Sequence, residues 1–144
     1  MDTLLKGIVT KYGVTEKDVD LLPPLTLAYI GDAVYEVYVR TYLIGKMKVS
    51  VHKLHTSSIK FVKAKAQSDI IHFIEDKLTD EEKDVVRRGR NAKSGTVPKN
   101  ADIIEYKYAT GFEALMGYLY LKGRLDRLDE IFELCIVKVS ESIK

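Results

Sequence analysis

At 144 residues, 46% hydrophobic and 31% charged, the chain is long enough for one domain with a real core and too apolar to be a disordered tail. Its net charge of +2 is too small to mark it, by itself, as a binder of polyanions. The single cysteine, Cys135, rules out an internal disulfide, no Cys/His set has zinc spacing, and the residue is expected to be a small buried hydrophobe.

In chain order the pattern is helical throughout. Met1-Asp2-Thr3 lacks the basic n-region of a signal peptide, so a cytoplasmic protein is expected. Residues 2–12 read as a weak helix ending near Gly13, and residues 15–20 as one short turn. Pro23-Pro24 opens a long helix reaching about Ile44, with Gly45 placed to cap it. This stretch is the most apolar of the chain, but Pro23, Pro24, Asp32, Glu36 and Arg40 interrupt it too often for a membrane span. Ser50 can cap a helix over 52–61, and another segment runs over about 63–75. Thr79-Asp80-Glu81-Glu82 has the form of a capping box and predicts a helix ending near Gly89. Residues 90–100 read as a loop, followed by helices over about 101–122 and 124–143 broken at Gly123. Tyr35–Val39 and Tyr118–Leu121 are apolar enough for strands, but their long helical context favours helix. Without repeats, low-complexity segments or a linker, residues 1–144 read as a single all-α domain.

Two carboxylates stand out against this background. The helix over 24–44 is apolar on almost every side, which predicts a place in the middle of the core. Asp32, Glu36 and Arg40 form its one charged stripe, and Glu36 can pair with Arg40 one turn on. Asp32 is expected to be buried, just after Gly31, where another backbone could come close. The segment 109–121 repeats the design around one charge, Glu113. An ionised carboxylate in apolar surroundings costs several kcal/mol unless a cation compensates it. Two of them on helices that pack together point to a shared hard cation, Mg²⁺ or Mn²⁺. The alternative is that each pairs with a nearby lysine, arginine or tyrosine.

The charges are unevenly spread. No Asp or Glu occurs between Val37 and Ser68 or between Val85 and Ala101, and these windows hold 12 of the 23 lysines and arginines. The second contains Arg87, Arg88, Arg90, Lys93 and Lys99. Arginine forks there suit phosphate oxygens, and Gly89 and Gly95 would let backbone N–H groups approach an anion. It is not a Walker A loop, and its arginines could equally serve the negative end of the helix dipole. His52 and His55 lie one turn apart and read as a partly exposed structural pair rather than metal ligands. Most of the nine tyrosines sit at core spacing.

The two carboxylate segments carry a resemblance. Leu27-Ala28-Tyr29-Ile30-Gly31-Asp32-Ala33-Val34 resembles the signature helix of the ribonuclease III family, and Phe112-Glu113-Ala114-Leu115-Met116-Gly117 its second acidic motif. The run from Arg87 to Thr96, with Pro98-Lys99-Asn100, is similar to the bacterial Mini-ribonuclease III subfamily, as are Glu36 to Arg40 and Leu54-His55 with Ser57-Ser58.

The resemblance implies an all-α ribonuclease III catalytic domain, acting as a homodimer on double-stranded RNA and leaving 5′-phosphate ends. Asp32 and Glu113 would be its catalytic, metal-binding residues with Mg²⁺, for which Mn²⁺ can substitute. Arg87, Arg88, Arg90, Lys93 and Lys99 would contact RNA. The subfamily's substrate, precursor 23S ribosomal RNA, is implied too, with a ribosomal protein or ribosomal assembly intermediate as partner and no membrane. The chain departs from the family pattern at three positions. Leu25 and Ala28 stand where the family has glutamates upstream of the signature aspartate, and Thr110 where it has an aspartate. Glu36, Asp69 and Asp102 are the candidates to make up the loss. The chain also has no room for a separate double-stranded-RNA-binding domain, so RNA would be held by the catalytic dimer itself, mainly by shape.

Overall fold

The computed structural model describes residues 2–93 and 97–143. Its elements are α1 (Asp2–Tyr12), α2 (Glu16–Val19), α3 (Pro24–Lys46), α4 (Val51–Val62), α5 (Ala64–Ile74), a 3-10 turn (Glu75–Lys77), α6 (Asp80–Asn91), α7 (Ile103–Leu121) and α8 (Leu125–Ile143). There is no strand among the described residues, so the all-α reading holds.

Local chemistry sets most of the boundaries. Ser50 accepts the Lys53 N–H at the start of α4. Thr79 and Glu82 form the expected reciprocal capping box at the start of α6. Asp102 accepts from the backbone of Ile104 and Glu105, at 2.9 and 3.1 Å, and so starts α7 slightly later than expected. Gly123, at φ +72°, separates α7 from α8.

Two glycines act differently from their sequence reading. Gly45 lies inside α3, which runs to Lys46 and is capped by Met47, extended and with its N–H bonded to the Leu43 carbonyl. Gly89 does not end α6, which continues to Asn91. Gly89 instead serves a close approach, because a Cβ there would lie 2.8 Å from Cα of Gly111 on α7.

The central helix is α7. Between Ala109 and Tyr120 only Thr110 and Glu113 are not fully buried. Helices α3, α5 and α6 pack around it, and α8 closes over α5 and α7. The sequence had pointed to α3 as a helix apolar enough for the middle of the core. In the fold α3 buries one face (Leu27, Gly31, Val34, Tyr35, Val39, Leu43). It leaves a second apolar ridge open to solvent, with Leu25 40%, Tyr29 82%, Val37 53% and Ile44 64% exposed and Ala33 among them. Residues 25, 29, 33 and 37 fall four apart, so they line one side of the helix. Asp32 borders this ridge and is exposed rather than buried.

Aromatic rings fill the space between α3, α4, α7 and α8. Tyr35 meets Phe112 edge-on at 4.9 Å and gives its hydroxyl to the Phe61 carbonyl at 2.9 Å, which satisfies the one polar atom it carries inside. Cys135 is buried as expected, and burial pushes its thiol well above the usual range.

One buried acid has a structural role. Glu82 is 2% exposed and receives Arg127 through two nitrogens at 2.8 and 2.9 Å, while Arg127 also donates to the Lys77 carbonyl. Burial pushes the Glu82 carboxyl up, but the Arg127 guanidinium and the Thr79 backbone N–H outweigh it and hold the group below its ordinary value. The pair ties the start of α6 to α8 and leaves neither charge uncompensated.

Candidate active site

The site is built on one helix crossing. Where α3 meets α7, a Cβ on Gly31 would overlap the carbonyl oxygen of Glu113, and a Cβ on Gly117 would overlap the carbonyl of Leu27. Only glycine permits this approach of two helix backbones. The side chains flanking the crossing are therefore forced together, and these are Asp32 and Glu113. Their carboxyl groups interact directly, within hydrogen-bonding reach. Two residues 81 positions apart in sequence thus meet, as the expectation of a shared site required.

The electrostatics follow from this placement. Burial first, and then contact with the Asp32 carboxyl and its charge, bring the Glu113 carboxyl up from its ordinary 4.5 to about 8. Within that rise the Gln67 amide opposes and the charge of Glu36 adds. Neither Asp32 nor Glu113 has an ion pair with lysine or arginine among the described residues. Local neutralisation by a basic side chain, the alternative reading of these acids, finds no support there. Without a cation, the cheapest way to hold two carboxyls together is a proton on the buried one.

The remaining candidates divide. Glu36 is held by Arg40 at 3.0 Å, one turn from Asp32, and contributes field rather than contact. Asp69 is occupied by Lys65 at 3.0 Å, and Asp102 is the cap of α7. Thr110, where the family pattern has an acid, bonds back to the Tyr106 carbonyl at 3.0 Å. Among the described residues no group of three or more His, Cys, Asp and Glu comes close enough to hold a metal ion. The acidic set is therefore a pair. Its donors are all oxygen and one of them is open to solvent, which fits a hard divalent cation whose other positions are filled by water and phosphate.

Gln67 is the residue that sequence reasoning missed. It lies on α5, 3% exposed, and its amide N–H faces the Glu113 carboxyl and favours its ionised form. Its Nε2 donates to the Val62 carbonyl at 2.9 Å. Its Oε1 is buried with no hydrogen-bond partner among the described residues, a condition that costs about 1–3 kcal/mol. A signal was available: Gln67, Ile70, Ile71 and Ile74 fall at i, i+3, i+4 and i+7, which puts an amide on the buried stripe of an otherwise apolar helix face.

Arg87, Arg88 and Arg90 lie at the end of α6, which the Gly89–Gly111 contact brings against α7 just before Glu113, and Lys93 and Lys99 follow beyond it. Arg87 is exposed and paired with Asp84. Arg88 is partly buried and reaches the Leu22 carbonyl at 3.4 Å. Arg90 lies over the Tyr108 ring at 5.5 Å and near its hydroxyl. Lys93 and Lys99 are exposed. Ser94, Gly95 and Thr96, and with them the anion-approach reading of Gly95, lie outside the described residues. His52 and His55 are both exposed.

Comparison with known proteins was consistent across sequence and structure. The family profile described as Ribonuclease III domain matches residues 25–124. A Mini-ribonuclease 3 of Thermoanaerobacter sp. (strain X514) is 51% identical over 134 residues, covering 93% of this chain and 91% of the relative. That of Clostridium tetani is 53% identical over 129 residues, covering 89% and 85%. A crystal structure of a Fusobacterium nucleatum protein superposes with a TM-score of 0.73 at 31% identity, covering 87% of this chain and 98% of that one.

The raised carboxyl gives a test of the site's electrostatics. From its ordinary 4.5 up to about 8, the folded chain keeps a proton on Glu113 that the unfolded chain releases. This contribution to stability is complete below the ordinary value and lost as pH rises through the folded one. In a chelator-containing buffer, urea denaturation should show stability falling between pH 5 and pH 8 by less in Glu113→Gln than in the native chain. Equal slopes would contradict the assignment.

Proposed function

The chain belongs to the ribonuclease III family, and from that premise we propose that it is a divalent-metal-dependent endoribonuclease of double-stranded RNA in which Asp32 and Glu113 hold the cation. The observation that carries this reading is the direct contact of two carboxyls with no basic side chain between them. The chemistry such a cation supplies when bound is polarisation of the phosphodiester and compensation of charge on the attacking and leaving oxygens. Mg²⁺ is the cation we assign, with Mn²⁺ as a substitute of the same hard-oxygen preference.

The chain's own residues divide the work. Asp32, exposed at the edge of the crossing, faces incoming substrate. Glu113, set deeper and touched by Gln67, is the fixed half of the pair. Glu36 adds negative potential at the pair, which attracts positive charge. Arg87, Arg88, Arg90, Lys93 and Lys99 would hold RNA phosphates beside the acids, with Lys93 and Lys99 the most available and Arg88 and Arg90 shifting from their present partners.

The open ridge of Leu25, Tyr29, Ala33 and Val37 supports a homodimer, since exposed apolar ridges of this kind are covered in stable assemblies. Because Asp32 borders the ridge, such a dimer would carry one acid pair on each side of its seam, an arrangement suited to cutting opposite strands and leaving 5′-phosphate ends. We read the chain as one catalytic domain working in the cytoplasm, and no described helix is long and apolar enough to cross a membrane. Precursor 23S ribosomal RNA, within a ribosomal assembly intermediate or with a ribosomal protein, is the substrate that kinship favours.

With duplex RNA and Mg²⁺, Asp32→Asn and Glu113→Gln should each cut at least about 100-fold more slowly than the native chain while melting as folded proteins. Cleavage by Asp32→Asn at the native rate would overturn the assignment. Replacing Lys93 and Lys99 with alanine should flatten the dependence of RNA affinity on salt by roughly one to two units of log–log slope. An unchanged slope would remove these two lysines from the RNA contact.

A further inference from the structure

We propose that a cavity between α4, α5 and α8 binds a small, multiply charged anion of the phosphate class, at a place separate from the acid pair. Most of its lysines come from the acid-free window between Val37 and Ser68, which the nuclease reading leaves without a role.

The cavity has a volume of about 440 Å³, within the range of small-molecule sites. Lys60 from the last turn of α4, Lys63 from the joint between α4 and α5, Lys65 from the first turn of α5 and Lys138 of α8 line its wall. Its floor is apolar and buried, formed by Ala66, Ile70 and Val139. Against four lysines the lining holds one acid, Asp69, and that carboxylate is already bonded to Lys65 at 3.0 Å. Lys60 and Lys63 are exposed and make no ion pair among the described residues. Like charges gathered on a concave wall with an apolar floor focus their field and concentrate counter-ions there. The start of α5 adds to this field, because it has neither a side-chain cap nor an acid in its first turn to offset the positive end of its dipole.

Shape narrows the ligand. Duplex RNA carries its phosphates along the outside of a broad cylinder, whereas a cavity bounded by three helices admits a compact anion. Lysine holds phosphate as a point charge, and several around one cavity suit an anion whose charge is spread over many oxygens. The site is also set apart from the nuclease centre. On α5 the Gln67 amide turns toward Glu113, while Asp69, two residues on, lies on the opposite side of the helix. An anion in the cavity therefore does not compete with a cation at the acid pair.

Titration calorimetry of the full chain with inorganic pyrophosphate, in chelator and at low salt, tests the proposal. Pyrophosphate should bind the native chain, and Lys63→Ala combined with Lys138→Ala should weaken it at least about tenfold, the scale of losing hydrogen bonds between charged groups. Lys93→Ala with Lys99→Ala, in the basic segment assigned to RNA, should leave pyrophosphate affinity unchanged. No binding to the native chain at millimolar pyrophosphate, or native affinity in the folded Lys63→Ala, Lys138→Ala chain, would overturn the proposal. Should that double variant fail to melt cooperatively, Lys63→Gln with Lys138→Gln takes its place, with the same loss expected. Duplex RNA separates the competing reading: a lysine variant that loses RNA affinity but keeps native pyrophosphate affinity makes the patch an RNA contact and the proposal wrong.

Discussion

Where α3 crosses α7, the two helix backbones touch, with Gly31 over the carbonyl of Glu113 and Gly117 over the carbonyl of Leu27. No other residue type fits either position without driving the helices apart. The crossing therefore fixes both the spacing of the central helices and the meeting of Asp32 with Glu113. Because the acids are the immediate neighbours of the contact, their separation is not left to flexible side chains. The helix axes set it, and the aromatic packing of Tyr35 against Phe112 on the same two helices holds them there. A site built on packed helices is held more firmly than one built on loops.

The same device is used a second time. Gly89 of α6 meets Gly111 of α7, two residues before Glu113, and draws the basic end of α6 toward the acid pair. The helix is anchored at its other end by the Glu82–Arg127 pair and the capping box at Thr79. A helix fixed at both ends presents its last turn, Arg87 to Asn91, in a defined place. Among the described residues the arginines of this turn make no ion pair with Asp32 or Glu113 and are held instead by Asp84, Leu22 and Tyr108. A negatively charged substrate and a positively charged ion make opposite demands, and adjacent regions of opposite sign meet both.

Much of this was legible before any coordinates. The capping box at Thr79, the break at Gly123 and the helical class follow from local chemistry. The isolation of Asp32 and Glu113 in apolar segments, together with Gly31 beside Asp32, was enough to propose that they meet. What failed depended on tertiary context. A helix apolar on all sides could be central, or could have one face waiting for a partner, and composition does not distinguish the two; α3 is of the second kind, so Asp32 is exposed. Gly45 and Gly89 looked like helix ends because glycine serves both as a cap and as a point of close approach, and only the neighbouring backbone decides which. Gln67 was visible as a polar residue on a buried stripe, but its partner, 46 positions away, was not. Arg88 and Arg90 read as phosphate contacts or as partners of the helix dipole, and only the fold shows that they reach Leu22 and Tyr108.

A crystal of the chain grown with Mn²⁺ and measured at a wavelength where manganese scatters anomalously puts the central claim to its most direct test. The account predicts one anomalous peak between the carboxyls of Asp32 and Glu113, with the α3–α7 crossing unchanged. Carboxyls turned apart and each bound by a lysine or arginine, with no peak between them, would contradict it.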